Sequence, residues 1–307
     1  MKALVKDERT VVLREVPRPG VAREDDVIIQ VAVAGLCRTD VYVAEGRLPV
    51  RPPLVLGHEL AGTVAEVGRA VRDLTPGERV TVHPLLACGD CPGCQRGGRC
   101  GRPTQLGVHH DGAFAEYVRV PASAVYRLPP GLPFTLGAYV EPVAAALGVL
   151  EAGPRPGQRG LIYGDNRIAQ LTRRVLAAHG LGEVPLYAPR GGERLAADAY
   201  DFIIETELSD KALADMLEAL RPCGTLVLKS RRHEPVALPV ARAVLKDVTL
   251  KAVSYGPFSE ALALLAGGRL KVDDLLGEVH PLEAYAALFA AAGRSEERKV
   301  FFAPGRG

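Results

Sequence analysis

Short apolar runs separated by glycine and proline characterise the first half of the chain. Four runs are β-branched or alternate apolar with polar residues, and they lie at 27–33, 62–68, 78–82 and 115–120. Such residues favour the pleated surface of a strand, whereas glycine and proline favour turns. The pattern therefore predicts a mostly β, partly closed barrel-like domain up to about residue 145. An apolar helical pattern over 136–152, which contains Glu141, is expected at its end.

From residue 160 onward the pattern alternates between strands and helices. Strand-like runs lie at 160–164, 184–188, 200–205 and 224–228, and helical patterns at 168–179 and 211–220. This alternation is typical of a parallel, doubly wound sheet. After about residue 255 the pattern is helical again, and 299–302 has the pattern of a closing strand. The chain thus combines a β-rich part with an α/β part.

Composition and charge are those of an ordinary globular protein. The 307 residues suit about two domains, and 48% are hydrophobic and 24% charged. A formal net charge of +2 without clustered positive residues argues against a nucleic acid or an anionic membrane as partner. We expect no membrane span, because no stretch of about 20 apolar residues is evident. The chain near Met1 lacks a signal-peptide pattern, which favours the cytoplasm.

Four of the six cysteines lie close together. Cys88, Cys91, Cys94 and Cys100 are separated by two, two and five residues. Four thiolates in this spacing are typical of a closed, structural zinc site, which we expect in a lobe over about 84–103. Free or disulfide-bonded cysteines are the alternative, although reduced thiols agree better with a cytoplasmic chain. Cys223 is interpreted as an inert packing residue.

A second set of possible zinc ligands is spread over the β-rich part. Cys37, His58 and Glu59 offer a thiolate, an imidazole and a carboxylate, which zinc binds in tetrahedral sites. The cysteine and the histidine each follow a strand-like run and each lie close to a glycine, Gly35 or Gly57. Taken alone, a cysteine and a histidine so far apart in sequence can equally be core residues.

Three motifs together resemble the zinc-containing medium-chain dehydrogenases, the family of alcohol, sorbitol and threonine dehydrogenases: Gly35-x-Cys37-x-Thr39-Asp40, Gly57-His58-Glu59-x-x-Gly62 and Glu141-Pro142. The resemblance covers essentially the whole chain. It implies an α/β fold with a GroES-like β-rich catalytic domain over 1–148 and 256–307. A Rossmann-like, doubly wound parallel sheet over 149–255 would be inserted in it. The resemblance also implies a small-molecule substrate and a homodimer or homotetramer.

The resemblance assigns the ligands of a catalytic zinc ion. Cys37, His58 and Glu141 would bind the metal, and Glu59 would either bind it or lie behind its water. Three protein ligands leave the fourth position of a catalytic zinc open for substrate. Zinc acts there as a Lewis acid on a substrate oxygen.

The same resemblance gives supporting roles to three residues of one segment. Thr39 would pass on the proton of the substrate hydroxyl, and Asp40 would orient the zinc-binding histidine. Tyr42 stands where some family members place the outer histidine of a proton relay. A packed surface tyrosine is an equally good interpretation of Tyr42.

The expected dinucleotide-binding loop is altered. A Rossmann loop needs a glycine for the tight turn, a second for the approach to the pyrophosphate, and a small residue for helix–strand packing. Gly164 and Ala169 meet the first and third needs, but Asn166 replaces the second glycine and brings a side chain toward the phosphates. Asp165 adds a negative charge where an anion should bind, which Arg167 can offset.

The second strand of the α/β part lacks the acidic residue that usually holds the ribose hydroxyls, since Ala188 is found there. Arg190 could instead meet a 2′-phosphate, which favours NADP. The short segment 196–201 predicts that a helix and a strand are missing between the second and third strands. Arg38 and Arg298 are either pyrophosphate contacts or surface arginines. The expected cofactor contacts are Arg38, Gly164, Asn166, Ile168, Ala169, Arg190 and Arg298.

Three functions are compatible with these features. The first is a zinc-dependent alcohol dehydrogenase-like oxidoreductase, with two zinc ions per chain, that transfers hydride between an alcohol or polyol and NAD or NADP. The second is a zinc enzyme that has lost dinucleotide binding and catalyses elimination, cyclisation or hydration, which the altered loop and the shortened sheet favour. The third is a non-catalytic relative, against which the complete ligand set argues.

Overall fold

The computed structural model describes residues 1–189, 193–292 and 298–305. The chain forms two compact units, one of Met1–Glu141 with the chain from Asp273 onward, and one of Pro142–Val272. The first unit is mostly β and the second is α/β, as the two sequence patterns predicted.

The elements up to residue 147 are β1 (Lys2–Lys6), β2 (Val11–Glu15), β3 (Asp26–Gly35), α1 (Arg38–Ala44), β4 (Leu54–Val55), β5 (Glu59–Val67), β6 (Arg79–Val82), β7 (Leu85–Leu86), α2 (Pro92–Gln95), β8 (Thr104–Gln105), β9 (Tyr117–Pro121), β10 (Val125–Arg127) and α3 (Phe134–Leu147). The second unit continues with β11 (Gly160–Tyr163), α4 (Arg167–Ala178), β12 (Leu186–Tyr187), β13 (Tyr200–Glu205), α5 (Asp210–Ala219), β14 (Leu220–Leu228), α6 (Val240–Leu245), β15 (Thr249–Ala252) and α7 (Phe258–Ala266). The chain then returns to the first unit with β16 (Leu276–His280), α8 (Tyr285–Ala292) and β17 (Lys299–Phe302).

The unit boundaries differ from those that the sequence suggested, 148 and 256. The first falls after Glu141, inside α3, and the second after Val272. The later second boundary has a physical reason, because α7 and the turn after it are bound to α4. The imidazole of His179, at the end of α4, lies 2.8 Å from the Glu260 carboxylate of α7.

A seven-stranded sheet forms the frame of the first unit. Its strands follow the order β10-β6-β5-β3-β17-β16, with β9 also paired to β3. All of these pairs are antiparallel except that of β16 with β17. Two smaller sheets, β2-β1-β4 and β7-β8, complete the unit. Buried side chains such as Ile29, Leu60 and Phe114 form its core.

The pairing of β3 with β5 brings two segments of the candidate site together. Gly35, the last residue of β3, pairs with Glu59, the first residue of β5. Cys37 therefore lies just beyond one strand and His58 just before the other, at the same end of an antiparallel pair. β17 reaches this end as well, because it also pairs with Gly35.

The second unit contains a parallel sheet of five strands in the order β12-β11-β13-β14-β15. A complete Rossmann sheet has six strands in the order 3-2-1-4-5-6. The observed order corresponds to 2-1-4-5-6, so the described residues contain no third strand and β12 forms the edge. The described residues between β12 and β13, 188–189 and 193–199, contain no helix or strand. The predicted shortening is thus confirmed.

One apolar segment is longer than the sequence analysis expected. Phe134–Ala152, which is α3 with the turn that follows it, is long and apolar enough to cross a membrane by length and composition. The expectation that no such stretch exists is therefore wrong by this measure. The segment is 67% buried inside the protein and carries the buried carboxylate of Glu141, so its apolar residues serve a protein core.

Candidate functional site

A single carboxylate, that of Asp40, connects the two segments that end at β3 and begin at β5. Asp40 lies in the first turn of α1, and its Oδ2 atom accepts a hydrogen bond from the N–H of Cys37 (2.9 Å). Its Oδ1 atom accepts one from the N–H of Gly57 (3.1 Å) and lies 3.3 Å from Nδ1 of His58. Since Asp40 is only 1% exposed, these contacts fix both loops rigidly.

Gly57 has no adequate substitute at its position before His58. Its φ angle is +96°, a backbone conformation that residues other than glycine rarely adopt. An added Cβ would also lie 2.8 Å from the backbone nitrogen of Phe114. The glycine therefore allows the chain to turn closely over the core and to present the histidine at the end of β5.

Three possible metal ligands converge at this point, and a fourth lies beside one of them. The ligand atoms of Cys37, His58 and Glu59 all lie within 4.8 Å of one another. The Oε1 atom of Glu141 lies 3.9 Å from Nε2 of His58. Neighbouring nitrogen and oxygen ligands on a tetrahedral zinc ion are about 3.4 Å apart, given zinc bonds of about 2.1 Å. The donors and their spacing therefore fit a zinc ion.

The electrostatics of this cluster favour a positive charge. Glu59 is 1% and Glu141 4% exposed, and the ammonium group of Lys299 pairs with Glu59. Burial alone would lower the pKa of His58, but the charges of Asp40 and Cys37 outweigh it and raise that pKa well above its ordinary value. A metal cation would meet the same demand for positive charge.

The two residues expected in a proton relay both lie on α1. Thr39 is buried, and its hydroxyl oxygen lies 3.8 Å from the sulfur of Cys37. Tyr42 is half-buried, and the guanidinium group of Arg47 stacks on its ring at 4.2 Å. Positions three apart share one face of a helix, so both side chains belong to the same side of α1.

The four clustered cysteines come together as well. Sulfur–sulfur distances are 3.5 Å for Cys91–Cys94 and Cys88–Cys100, and 3.9 Å for Cys88–Cys94 and Cys91–Cys100. Four sulfur ligands on a tetrahedral zinc ion lie about 3.8 Å apart, given bonds of about 2.3 Å. The gap of five residues before Cys100 therefore still allows a closed four-sulfur site.

Backbone N–H groups of the lobe also donate hydrogen bonds to these sulfurs. The N–H groups of Gly101 and Cys88 donate to the sulfurs of Cys91 and Cys100, both at 3.3 Å. Hydrogen bonds from the backbone of Cys94 and Gly101 lower the pKa of Cys91 to about 6. The hydrogen bond shared with Cys91 raises the pKa of Cys94 to about 12. Metal binding at this lobe would therefore release protons.

Substitution of one lobe cysteine should affect stability rather than chemistry. In Cys91→Ser, we expect one zinc ion fewer per chain and a lower thermal midpoint, because a structural zinc contributes folding free energy directly. The kcat/KM of the folded protein should stay within about threefold, since Cys91 belongs to a cluster separate from the proposed catalytic ligands. Cys223→Ser, outside both clusters, is the matched control. Unchanged zinc content and thermal midpoint in Cys91→Ser would contradict a structural site.

The loop after β11 keeps its glycine but uses its asparagine differently from the expectation. Gly164 has φ = +123°, and an added Cβ would collide with the hydroxyl of Thr206. Asn166 has φ = −65°, and its Oδ1 atom accepts a hydrogen bond from the N–H of Ala169 (3.0 Å) as the N-cap of α4. Its Nδ2 atom donates to the hydroxyl of Thr206 (3.1 Å). The Asn166 side chain thus binds the protein itself instead of pointing at a phosphate.

Arg167, at the first position of α4, carries a buried positive charge. It is 8% exposed, and within the described part of the chain its Nε atom is buried without a hydrogen-bond partner. Arginine is rarely buried without a partner, because removing its charge from water is costly. The first turn of a helix also favours anions. An anion bound at the loop would pair with the charge of Arg167 and would lie at the favourable N-terminus of α4.

The other predicted cofactor contacts differ in their surroundings. Ala169 is fully buried and packs in the core between α4 and the sheet, as the small third position requires. Ile168 is half-buried, whereas Arg38 and Arg298 are exposed. Arg190 lies outside the described residues.

Comparisons with known proteins agree with this geometry. Residues 23–130 match the alcohol dehydrogenase GroES-like domain family. An L-threonine 3-dehydrogenase of Streptomyces avermitilis is 31% identical over 339 aligned positions, which cover 98% of this chain and 98% of that protein. The chain belongs to the zinc-containing medium-chain dehydrogenase family. It is an alcohol dehydrogenase-like oxidoreductase.

Solved structures share the fold of this medium-chain dehydrogenase. A Sinorhizobium meliloti protein described as a zinc-binding dehydrogenase, solved with NADP, is 27% identical with a TM-score of 0.89, and 99% of each chain is covered. Galactitol-1-phosphate dehydrogenase of Escherichia coli is 25% identical with a TM-score of 0.87, and 99% of this chain and 100% of that chain are covered. The predicted fold, a GroES-like unit with a Rossmann-like sheet, is therefore confirmed.

This medium-chain dehydrogenase is shorter than the threonine dehydrogenase that it resembles. Their alignment has 339 positions, whereas this chain has 307 residues, so the relative contains residues that this chain lacks. The missing third strand of the Rossmann-like sheet agrees with this difference.

Two residues at the dehydrogenase's sites were not in the predicted set. Lys299 lies completely buried against Glu59, and Arg167 lies buried at the start of α4. The sequence marks Arg167 only as a charge near the loop, and it marks Lys299 only as the start of a closing strand. Burial, which the sequence does not display, distinguishes both from surface residues.

Proposed function

We propose that this dehydrogenase oxidises an alcohol or a polyol, or reduces the corresponding carbonyl compound, with a zinc ion and NAD or NADP. The observation that carries the proposal is the convergence of the Cys37, His58 and Glu59 ligand atoms within 4.8 Å of one another, with Glu141 3.9 Å from Nε2 of His58. Asp40 is bound to the loops of Cys37 and His58. Zinc there would supply a Lewis acid that lowers the pKa of a substrate hydroxyl. The nicotinamide cofactor would supply the hydride acceptor.

The protein's own groups then orient the site and move a proton. Asp40 faces Nδ1 of His58, so that Nε2 is directed toward the proposed metal position. The hydroxyl of Thr39 can accept and donate a proton, and it lies beside Cys37, where it would take the proton of the substrate hydroxyl. Tyr42, one helical turn later, is the proposed next member of this relay.

The carboxyl end of the parallel sheet is the proposed cofactor site, as in other open α/β sheets. Gly164 and Ala169 permit the close turn and the packing of α4, and Arg167 supplies a positive charge. Ala188 in place of an acidic residue, together with the NADP of the Sinorhizobium meliloti relative, favours NADP. Further contacts are proposed from Arg38, Ile168, Arg190 and Arg298, and from the main chain of Asn166, whose side chain caps α4.

A fluorescence titration of the zinc-loaded protein with NADPH and with NADH tests this function. We expect micromolar binding of at least one, with NADPH preferred, and oxidation of an alcohol in a panel containing L-threonine, xylitol, galactitol 1-phosphate and simple secondary alcohols. The zinc chelator 1,10-phenanthroline should abolish the activity. Absence of binding at millimolar cofactor would contradict the proposal.

That negative result would favour a second function, a zinc enzyme without a dinucleotide that catalyses elimination, cyclisation or hydration. The specific observation in its favour is the loop after β11. The Asn166 side chain caps α4 itself, and the exposed Asp165 places a negative charge beside the position where a phosphate would bind. Both features weaken an anion site of the ordinary main-chain type.

A second zinc ion is proposed for the four-cysteine lobe, which gives two per chain. Its support is the agreement of four sulfur–sulfur distances with a tetrahedral zinc site. Such reduced thiols, and the zinc they would hold, agree with a cytoplasmic protein. Elemental analysis of the purified protein should give two zinc ions per chain, and one ion would contradict this part of the proposal.

We also propose a homodimer or homotetramer that assembles through β15. This strand lies at the edge of the parallel sheet. Beside it α6 exposes Val240 (58%), Val244 (67%) and Leu245 (85%), and β15 itself exposes Leu250 (38%). An apolar patch next to an unpaired strand edge is typical of an interface.

Charged residues in this patch should separate the subunits. For the double variant Val244→Glu/Leu245→Glu, light scattering after size-exclusion chromatography should give the monomer mass, because two buried charges oppose association. The same measurement on Val21→Glu, which changes an exposed valine of the other unit, should leave the mass unchanged. An oligomer that survives the double substitution would place the interface elsewhere.

A further inference from the structure

Lys299, the first residue of β17, is completely buried. Its ammonium group lies 2.6 and 2.5 Å from the two carboxylate oxygens of Glu59 and donates a hydrogen bond to the carbonyl of Leu36 at 2.9 Å. Lysine is almost never fully buried unless it is paired. The contacts to Oε1 of Glu59 and to Leu36 are hydrogen bonds, whereas Oε2 of Glu59 is close to the ammonium group but accepts no hydrogen bond within the described residues.

The partners of Lys299 adjoin the proposed metal ligands. Leu36 directly precedes Cys37, and Glu59 directly follows His58. The pairing of β17 with the end of β3 brings the lysine to this place. Its ammonium group therefore ties together the two segments that carry the thiolate and the imidazole.

We infer that Lys299 is a positioning residue that keeps Glu59 away from the catalytic metal, so that Glu141 becomes the third protein ligand. The inference rests on the proposed zinc function. Glu59 is close enough to bind a metal, within 4.8 Å of the ligand atoms of Cys37 and His58, but both of its oxygens lie within 2.6 Å of the ammonium group. Binding zinc would break part of a buried ion pair. Glu141 faces Nε2 of His58 and completes the set, which leaves one position for substrate.

Removal of the lysine charge should release Glu59 to the metal. In Lys299→Met, we expect zinc at the catalytic site to be held at least about tenfold more tightly and kcat to fall by about 10- to 100-fold, the scale of changes next to a metal site. The visible spectrum of the protein with cobalt at this site should change, because its ligand set changes. Lys299→Arg keeps the cation and should retain the wild-type spectrum.

A double variant separates this effect from simple damage to the fold. Glu59→Gln/Lys299→Met removes both charges of the buried pair, so no carboxylate is left to move to the metal. Its zinc affinity and cobalt spectrum should stay close to wild type, within about threefold in affinity, whereas Glu141→Gln should weaken zinc binding by at least about 100-fold. The comparison holds even where Lys299→Met alone fails to fold.

The assay uses competition with a chromophoric chelator on the full-length protein, with the lobe zinc in place. If the double variant loses zinc more than Glu141→Gln does, Glu59 is the ligand and the inference is overturned. If Cys37→Ser leaves metal binding unchanged, the proposed zinc function itself fails. The two failures are therefore distinguishable.

Discussion

A Cys37→Ser variant should fold normally and lose nearly all dehydrogenase activity. Cys37 is the N-cap of α1, where serine is among the preferred residues, so the local backbone should keep its conformation. The serine hydroxyl, however, is a poor zinc ligand compared with a thiolate. A bound metal contributes several kcal/mol of transition-state stabilisation, so we expect kcat/KM to fall by at least about a thousandfold.

Zinc content distinguishes this loss from a general defect. Elemental analysis of Cys37→Ser should show that one zinc ion is lost per chain while the ion proposed for the four-cysteine lobe remains. Circular dichroism and the thermal midpoint should stay close to those of Cys223→Ser, which removes an exposed thiol far from both clusters in sequence. Activity within about tenfold of wild type, with both zinc ions retained, would show that Cys37 is not a metal ligand.

Local pattern predicted most of the secondary structure of this protein. The strand expected over 200–205 is β13, and the helix expected over 168–179 is α4, which begins and ends one residue earlier. Both rest on periodicity and on turn-forming neighbours, which act within a few residues. The extent of β14 was not predicted, since it begins at Leu220, four residues before the expected strand. Its early start depends on pairing with β13, which local pattern does not specify.

Only those residues of the candidate metal site that belong to short sequence motifs were predictable. Cys37, His58 and Glu59 belong to short motifs, and the antiparallel register of β3 with β5 does bring them together. Lys299 lies 240 residues beyond Glu59 and belongs to no motif. Its contact with Glu59 arises because β17 pairs with β3, and such long-range pairing is a property of the sheet rather than of any segment.

Side-chain direction explains a second limit, at the loop after β11. The sequence suggested that Asn166 would bring its side chain toward the phosphates, whereas the side chain caps α4 and binds Thr206. An asparagine at the start of a helix can do either, and the choice depends on the neighbouring strand. The sequence marked Arg167 only as a charge that can offset Asp165, whereas the structure shows that the Arg167 side chain is buried.

Replacement of the buried Arg167 should weaken cofactor binding and, in the opposite direction, raise the thermal stability of the cofactor-free protein. In Arg167→Met, the affinity for NADPH should fall by about 10- to 100-fold, because a hydrogen bond to a charged group contributes about 1.5–3 kcal/mol. The thermal midpoint of the cofactor-free protein should rise by about a few degrees, because a buried guanidinium group whose Nε atom has no hydrogen-bond partner is costly and methionine fills a similar volume. Fluorescence titration and thermal unfolding without cofactor measure the two effects.

Arg173→Met provides the matched control on the same helix. Its guanidinium group is bound to Gln170 (3.0 Å) and is not buried, so its replacement should change neither quantity appreciably. A gain in stability without a loss of affinity would mean that Arg167 is merely a strained core residue. A loss of both would mean that its guanidinium group has a structural role. Only the combination of higher stability with weaker binding would show that the Arg167 charge destabilises the free protein and binds the cofactor phosphates.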